Sequence, residues 1–494
     1  MALFDRFKRK KKVDSVRQYQ AAGSGRLFGD FVSSTRSADA EIRYSLRKLR
    51  NRCRELSQNN EYVRRYLSLL QVNVVGERGI AIQSKSVNSD KTLDNIANTA
   101  IEREFQKWSR LGKCTVDGKM DFVDAQNLVM ESLARDGECF VRLLNTDVNE
   151  NGFALEFIEA DLIDEEKNDV NPKNGNEIRM GVELDKNRRA VAYYVLTKHP
   201  GDYQLGSLAD RTSVRIDAQN ILHLYLMDRV NQTRGVPWLS ASIIDLNMLH
   251  GYREAELVAA RTAASKVGFF VSRAGDGFLP DDLEQDIPIM DAEPGTFHQL
   301  PKGVEFQAFD PSHPTSAFAD FERSILRGIA SGLGVSYHSL ANDLTQTSYS
   351  SIRQGSIEDR DFYKKHQQYL IKHFVEPVFR AWLTQSITKG MVNLPIDKFD
   401  KFADGISYRP RGFQWIDPMK EINAQVIGLQ NGLLSLQDVE SVYGRDVEEN
   451  FAQIQKDKQL ADQYGLKFAF EPFGGGASGF GPIKIDPDGE PFGD

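Results

Sequence analysis

The chain has 494 residues, 40% hydrophobic and 27% charged, an ordinary soluble composition with material for about three domains. Its formal net charge of −8 argues against a dedicated sequence-reading DNA-binding protein, but leaves loose, sliding contact with nucleic acid open, because local charge matters more than the sum. Cys53, Cys114 and Cys139 are too few for a disulfide framework and form no CxxC pair, no apolar run approaches a membrane span, and the start of the chain lacks an apolar signal core.

Residues 1–38 read as a basic flexible arm. Its run from Lys8 to Lys12 can bind nucleic acid or a membrane surface, although the composition is that of a solvated tail. From Asp39 to Leu70 the spacing predicts two helical pieces divided at Asn59 and Asn60. The first carries Arg43, Arg47, Arg50, Arg52 and Arg54 around an apolar line, which suits a solvated or subunit-facing surface better than a phosphate-facing one. Asn73 to Ile82 alternates like a strand, and Leu93–Trp108 and Phe122–Arg135 have helical periodicity. Between Glu138 and Met227 five short apolar runs (139–144, 154–158, 179–184, 190–196 and 221–226) joined by Asn-Gly and charged turns suit an antiparallel meander. The acids Asp161, Asp164, Glu165, Glu166 and Asp169 lack metal-ligand spacing and read as a solvated turn.

A long helix is expected over residues 240–266, roughly 40 Å at 1.5 Å per residue. Its second half is alanine-rich (Ala255, Ala259, Ala260, Ala263, Ala264), which permits close helix approach. An irregular acidic stretch follows to Ser312. A second helix then places Phe318, Phe321, Ile325, Ile329 and Leu333 on one face, ended by Gly332 and Gly334. Two long helices around such an excursion suggest a stalk with a protruding tip. Val335 to Ser351 is too hydroxyl-rich to continue a helix. Beyond it Phe362, His366, Leu370, Phe374, Val378 and Trp382 lie four apart, as in a very long helix to Lys389 with a kink expected at Pro377. His366 and His373 share a face of it and read as core or interface histidines. Helical segments run to about Tyr464, before a Gly/Pro-rich acidic tail in which Asp486 to Gly489 is a turn lacking the last ligand of a calcium loop.

No phosphate-binding loop, GxSxG or HExxH is present, so no catalytic residue, metal or cofactor is expected and the chain does not read as an enzyme. Two other readings remain: a hydrolase using carboxylates such as Asp161 and Glu165, and a non-enzymatic nucleic-acid-binding scaffold acting through the arm and Arg43 to Arg54.

Four stretches in order resemble the lambda-like branch of tailed-bacteriophage portal proteins: Arg234 to Leu239, Pro294 to Gly303, Leu340 to Gly355, and Arg411 to Glu421. One departure is Thr347-Ser348, where an Asn commonly precedes the Tyr-Ser-Ser. The resemblance covers nearly all of residues 1–465 and implies an α+β portal fold: an α/β wing, a two-helix stem, a small α/β clip, a long kinked wing helix and a helical crown, assembled as a ring, commonly of twelve.

Carried onto this chain, the wing is 39–238 with a return segment at 351–416. The stem helices are 239–266 and 314–340, the clip 267–313, the tunnel loop 341–350 and the crown 417–465, with a disordered tail at 466–494. The resemblance implies a DNA channel lined by Asn342, Asp343, Gln346, Thr347, Ser348 and Ser350. It implies docking of terminase, then of head-completion and tail proteins, on the clip acids Asp281, Asp282, Glu284, Asp286, Asp291 and Glu293. Stem packing would use Ala255, Ala259, Ala263, Phe318, Phe321 and Ile325. The further partners implied are double-stranded DNA, major capsid and scaffold proteins, without a membrane, and the implied location is the virion vertex after assembly in the bacterial cytoplasm.

Overall fold

A side-chain cap decides where the first helices divide. The Asn60 side-chain oxygen accepts the backbone N–H groups of Tyr62 and Val63. The helical stretch therefore breaks into α2 (Leu46–Asn59) and α3 (Glu61–Leu70), behind a short α1 (Ala38–Ile42). The computed structural model describes residues 35–169, 175–202, 212–264, 268–272, 304–308, 318–345, 348–413, 418–442 and 447–466. The basic run 8–12, the 294–303 motif, the clip acids 281–293, Gln346, Thr347, the side chain of Ala263 and the C-terminal tail lie outside the described residues.

The strand expected over Asn73–Ile82 is not there. Helix α3 runs on into a π-helical turn, Gln71–Val75, that buries Val74 and Val75. Only Ala81–Ser84 (β1) is extended, and it pairs antiparallel with Ile406–Arg409 (β11), more than 300 residues later. The apolar alternation that looked like a strand serves a helix end packed in the core. Helices α4 (Asn95–Trp108) and α5 (Phe122–Asp136) match their periodicity, and α5 starts with a reciprocal cap between Asp121 and Asp124.

The strand-rich region forms two sheets rather than one meander. Strand β2 (Glu138–Asn145) is central in a three-stranded sheet, between β3 (Phe153–Ile158) and β8 (Ile221–Tyr225). A four-stranded antiparallel meander intervenes: β4 (Glu177–Arg179), β5 (Val182–Leu184), β6 (Ala190–Leu196) and β7 (Ser213–Asp217). The run expected as one strand over 179–184 is a hairpin, turned at Met180 and Gly181, both with positive φ.

Helix α6 (Ile243–Ala264) packs against α7 (Phe318–Leu333), and between them lie the antiparallel strands β9 (Gly268–Ser272) and β10 (Val304–Ala308). The segment read as purely irregular after α7 contains a five-residue helix, α8 (Tyr337–Ala341). The long helix follows as α9 (Tyr349–Leu370), a π-helical turn at Ile371–Val375, and α10 (Glu376–Thr388).

In that turn the Glu376 N–H bonds the Ile371 carbonyl, five residues back. Pro377 thereby falls in the first turn of α10, where a missing N–H is tolerated. The interruption expected at Pro377 occupies the five residues before it. Helix α11 (Phe399–Asp404) leads into β11. Three helices follow: α12 (Pro418–Gln430), α13 (Leu436–Val442) and α14 (Val447–Gln463).

One hydrophobic core joins α3, α4, α5, β2, α7, α9 and α10. At its centre Trp382 meets Phe105 at 5.0 Å, edge to face, and Trp108 donates its indole N–H to the Phe153 carbonyl at 2.9 Å. Burying such side chains is worth about 1.5–3 kcal/mol each, so this core fixes α9–α10 as the spine of the subunit.

Candidate functional site

The segment between α7 and α9 is held at both ends by carboxylates. Gly334, at φ +72°, turns the chain out of α7, and a Cβ there would press on the Phe362 ring at 2.9 Å. Ser336 then caps α8, and the buried Asp359 of α9 takes three bonds from it: the Ser336 N–H (2.7 Å), the Ser336 hydroxyl (2.8 Å) and the Ser339 hydroxyl (2.6 Å). A carboxylate facing a helix N-terminus also complements the helix dipole. Helix α8 thus hangs from α9.

Asn342 ends α8 in the left-handed conformation, and Asp343 closes the next turn. It accepts the Thr345 hydroxyl and N–H (2.5 and 2.9 Å) and the Tyr337 hydroxyl (2.7 Å). Bonds from Thr345 and Tyr337 to the charged form hold its carboxyl down at about 2. Ser348 caps α9 by accepting the Ser351 N–H, and Ser350 is exposed in its first turn. Asn342, Asp343, Ser348 and Ser350 therefore stand around one loop, with Gln346 and Thr347 outside the described residues.

Along the helix pair Tyr252 meets Phe318 (5.7 Å) and Phe321 (5.2 Å), and Arg253 reaches Glu61 and Glu322, which ties α6 to α3. Ile325 is half-buried against the core, Phe321 is half-exposed, Ala259 is half-buried and Ala255 exposed. Ile244, Met248, Leu257 and Val258 on α6 are more than half exposed.

The arginine-rich helix departs from its expectation. Arg50 is fully buried, bonding Glu138 at 3.1 Å and pairing with Asp161. Arg54 pairs with Asp136 (2.7 Å), Glu159 (3.0 Å) and Asp161, and Arg47 with Glu165. The acids read as a solvated turn are, at Asp161, part of a largely buried ionic cluster. Burial alone would raise the Asp161 pKa, but Arg50 and Arg54 bring it below its ordinary value. Such a group stays ionised and is a weak base, and its oxygens are already engaged by guanidinium groups, which counts against the hydrolase reading. Glu159, Asp161 and His199 lie close enough to share a cation, yet the Arg54 guanidinium already pairs with both carboxylates.

Glu138, at the start of β2, is the residue that sequence reasoning missed. It accepts from both the Nε and Nη2 of Arg234 (2.9 and 2.6 Å), from the Gly235 N–H (3.0 Å) and from Arg50, and His223 lies 3.1 Å from it. Burial pushes its carboxyl pKa up, but Arg234 and His223 outweigh this and hold it far below the ordinary range. The Arg234 Nη1 meanwhile donates to the Met180 carbonyl at 2.8 Å. A Cβ on Gly235 would collide with the Gly137 carbonyl, so only glycine lets the two segments touch. The Arg234 to Leu239 motif therefore locks both sheets to the start of α6. An isolated Glu opening an apolar strand, and an Arg opening an apolar motif, were the available signals. His366 is buried as expected, stacked on Trp238 at 4.7 Å.

The family model for phage portal protein, lambda family, matches residues 24–367. Among curated relatives, the "Probable portal protein" of Halomonas phage phiHAP-1 is 36% identical over 489 residues, covering 97% of this chain and 93% of that protein. Portal protein B of Escherichia phage lambda is 22% identical, with 92% of each chain covered. The chain belongs to the lambda family of phage portal proteins. Among solved structures it is similar to the neck of a native gene transfer agent particle computed with C12 symmetry (TM-score 0.42, 12% identity, 79% of this chain and 93% of that one). It is also similar to an HK97-family phage portal protein from Corynebacterium diphtheriae (TM-score 0.33, 11% identity, 75% and 96%). These scores are too low to define a shared fold.

Proposed function

We propose that the subunit assembles into a ring, of about twelve copies as is common in its family, through which phage DNA passes during packaging and at ejection. The observation that carries this reading is the exposed apolar side chains of the α6–α7 pair: Ile244 and Met248 stand one turn apart in water on α6, on the same side as the small Ala255, and Phe321 is half-exposed on α7. Contiguous apolar surface of this kind belongs in an interface. In this reading residues 39–238 and 351–416 form the wing, 239–266 and 314–340 the stem, 267–313 the clip and 417–465 the crown. The loop at 341–350 faces the bore.

A bore for a sliding polyanion should not grip it, because each neutralised phosphate adds counterion-release affinity. Hydroxyl, amide and carboxylate groups at Asn342, Asp343, Gln346, Thr347, Ser348 and Ser350 suit passage. The subunit is structural, with ATP-driven translocation supplied by a terminase docked on the clip acids and capsid, scaffold and connector proteins as further partners. Assembly would take place in the host cytoplasm and the product would sit in the virion vertex. The scaffold alternative, acting through the basic arm and Arg43 to Arg54, is weakened in its helical part because Arg47, Arg50 and Arg54 are engaged by carboxylates of their own chain.

Light scattering with negative-stain images of the purified protein tests the proposal. A ring with a central hole is expected; a monomer at every salt and concentration would overturn it.

A further inference from the structure

A hollow of about 360 Å³ on the strand-rich face plays no part in the loop or the stem, and His223 is its link to the ionic lock. Buried Val182, Leu184 and Tyr193 lie at its base and Tyr225 beside them, while Met227 and Val230 stand exposed at its edge. Val230 is 83% exposed, a large apolar side chain left in water next to an apolar recess.

The described chain begins at the rim of this hollow. The Arg36 carbonyl accepts from Arg229 at 3.2 Å, and the same guanidinium pairs with Glu41. Asp39 accepts the N–H and hydroxyl of Thr233, both at 2.8 Å, and pairs with Arg188 at 3.3 Å. Arg188 in turn donates to the Asn231 carbonyl at 3.0 Å. Arg188, Asn231 and Thr233 are themselves lining residues, so positions 36–39 are pinned along its edge.

Immediately upstream the sequence is Leu27-Phe28-Gly29-Asp30-Phe31-Val32, an apolar hexad with one acid, in an otherwise polar and basic arm. The four residues from Phe31 to Thr35 span at most about 14 Å when extended. That reach lets Phe31 enter the hollow. The turn between β5 and β6 on the same rim exposes Lys186 and Arg189, complementary to Asp30.

We infer that this hollow is the docking site for the Leu27–Val32 segment of the same chain, with Phe31 seated in it and Asp30 against Lys186 and Arg189. Docking there covers Met227 and Val230. It also limits the free length of the basic arm to residues 1–26.

A full-length Gly29→Cys/Val230→Cys double variant, which keeps Phe31 and is oxidised mildly, tests this; the native cysteines are buried and do not compete. The expected product is an intrachain cross-link running at monomer mass under non-reducing denaturing conditions. Its yield should be at least tenfold above that of the same cysteine pair carrying Phe31→Ser. An interchain ladder would assign the hollow to a second copy's arm and overturn the same-chain occupant. Equal yields in both variants would overturn docking altogether. Peroxide oxidation of Met227 provides a second readout without cysteines: Phe31→Ser should speed it several-fold, and an unchanged rate would again overturn the proposal.

Discussion

Arg234 and Glu138 face each other with no exposure to solvent, joined by a two-pronged guanidinium–carboxylate contact with its shortest bond at 2.6 Å. They stand 96 residues apart, one opening β2 and the other leading into α6. Because Arg50 and the Gly235 N–H share the carboxylate, the contact joins the helical entry, both sheets and the segment that leads into α6. Glu138→Gln leaves the buried Arg234 guanidinium without its counter-charge, and Arg50 with Asp161 alone, and should cost about 3–5 kcal/mol. Urea unfolding measures it; a loss under about 1 kcal/mol would show that water relieves the buried charge.

Asp359→Ala removes the acceptor for the Ser336 N–H and for two hydroxyls. Leaving a part-buried N–H and two hydroxyls without their charged acceptor should cost about 2 kcal/mol. The effect should be local, with amide exchange accelerating over residues 336–345 and unchanged in α5. Uniform acceleration would mean that α8 is no separate unit.

The imidazole of His366 is pushed down to about 4, first by burial and then by Lys365, from an ordinary value near 6.5. Between these values the unfolded chain binds the extra proton, so stability rises with pH across the window and falls as pH drops through it. The contribution is on the order of 3 kcal/mol. His366→Phe keeps a ring against Trp238 and should flatten the unfolding free energy between pH 6.5 and 4. A slope unchanged by the substitution would assign the pH dependence to other groups, His223 first among them.

At the loop, Thr347→Lys places a cation where the proposed bore meets DNA. Packaging in a reconstituted system should slow or stall, while ring assembly by electron microscopy stays normal. Packaging at the unaltered rate would remove the loop from the channel.

Deleting residues 281–293 should spare the ring but abolish terminase docking in a pull-down with the motor. If rings fail to form, the acidic segment is an assembly element.

The sequence by itself determined the local structure and the family. Side-chain periodicity and caps are properties of neighbours three or four residues apart, so α4, α5, α6, α7 and the α9–α10 spine were legible, as was the division at Asn60. Four motifs in one order carried the family, and the loop at 341–350 came with them. Tertiary structure alone decided the rest. A row of arginines on one helix looks the same whether it meets phosphate, water or carboxylates. Only the fold brings Asp136, Glu138 and Asp161 to Arg50 and Arg54, because charge has no sequence range. Likewise Asn73–Ile82 alternates as a strand would, yet packing of Val74 and Val75 into the core ends α3 in a π turn instead. The interruption near Pro377 was foreseeable from its missing N–H, but its place, in Ile371–Val375, was set by which side chains that core had to bury.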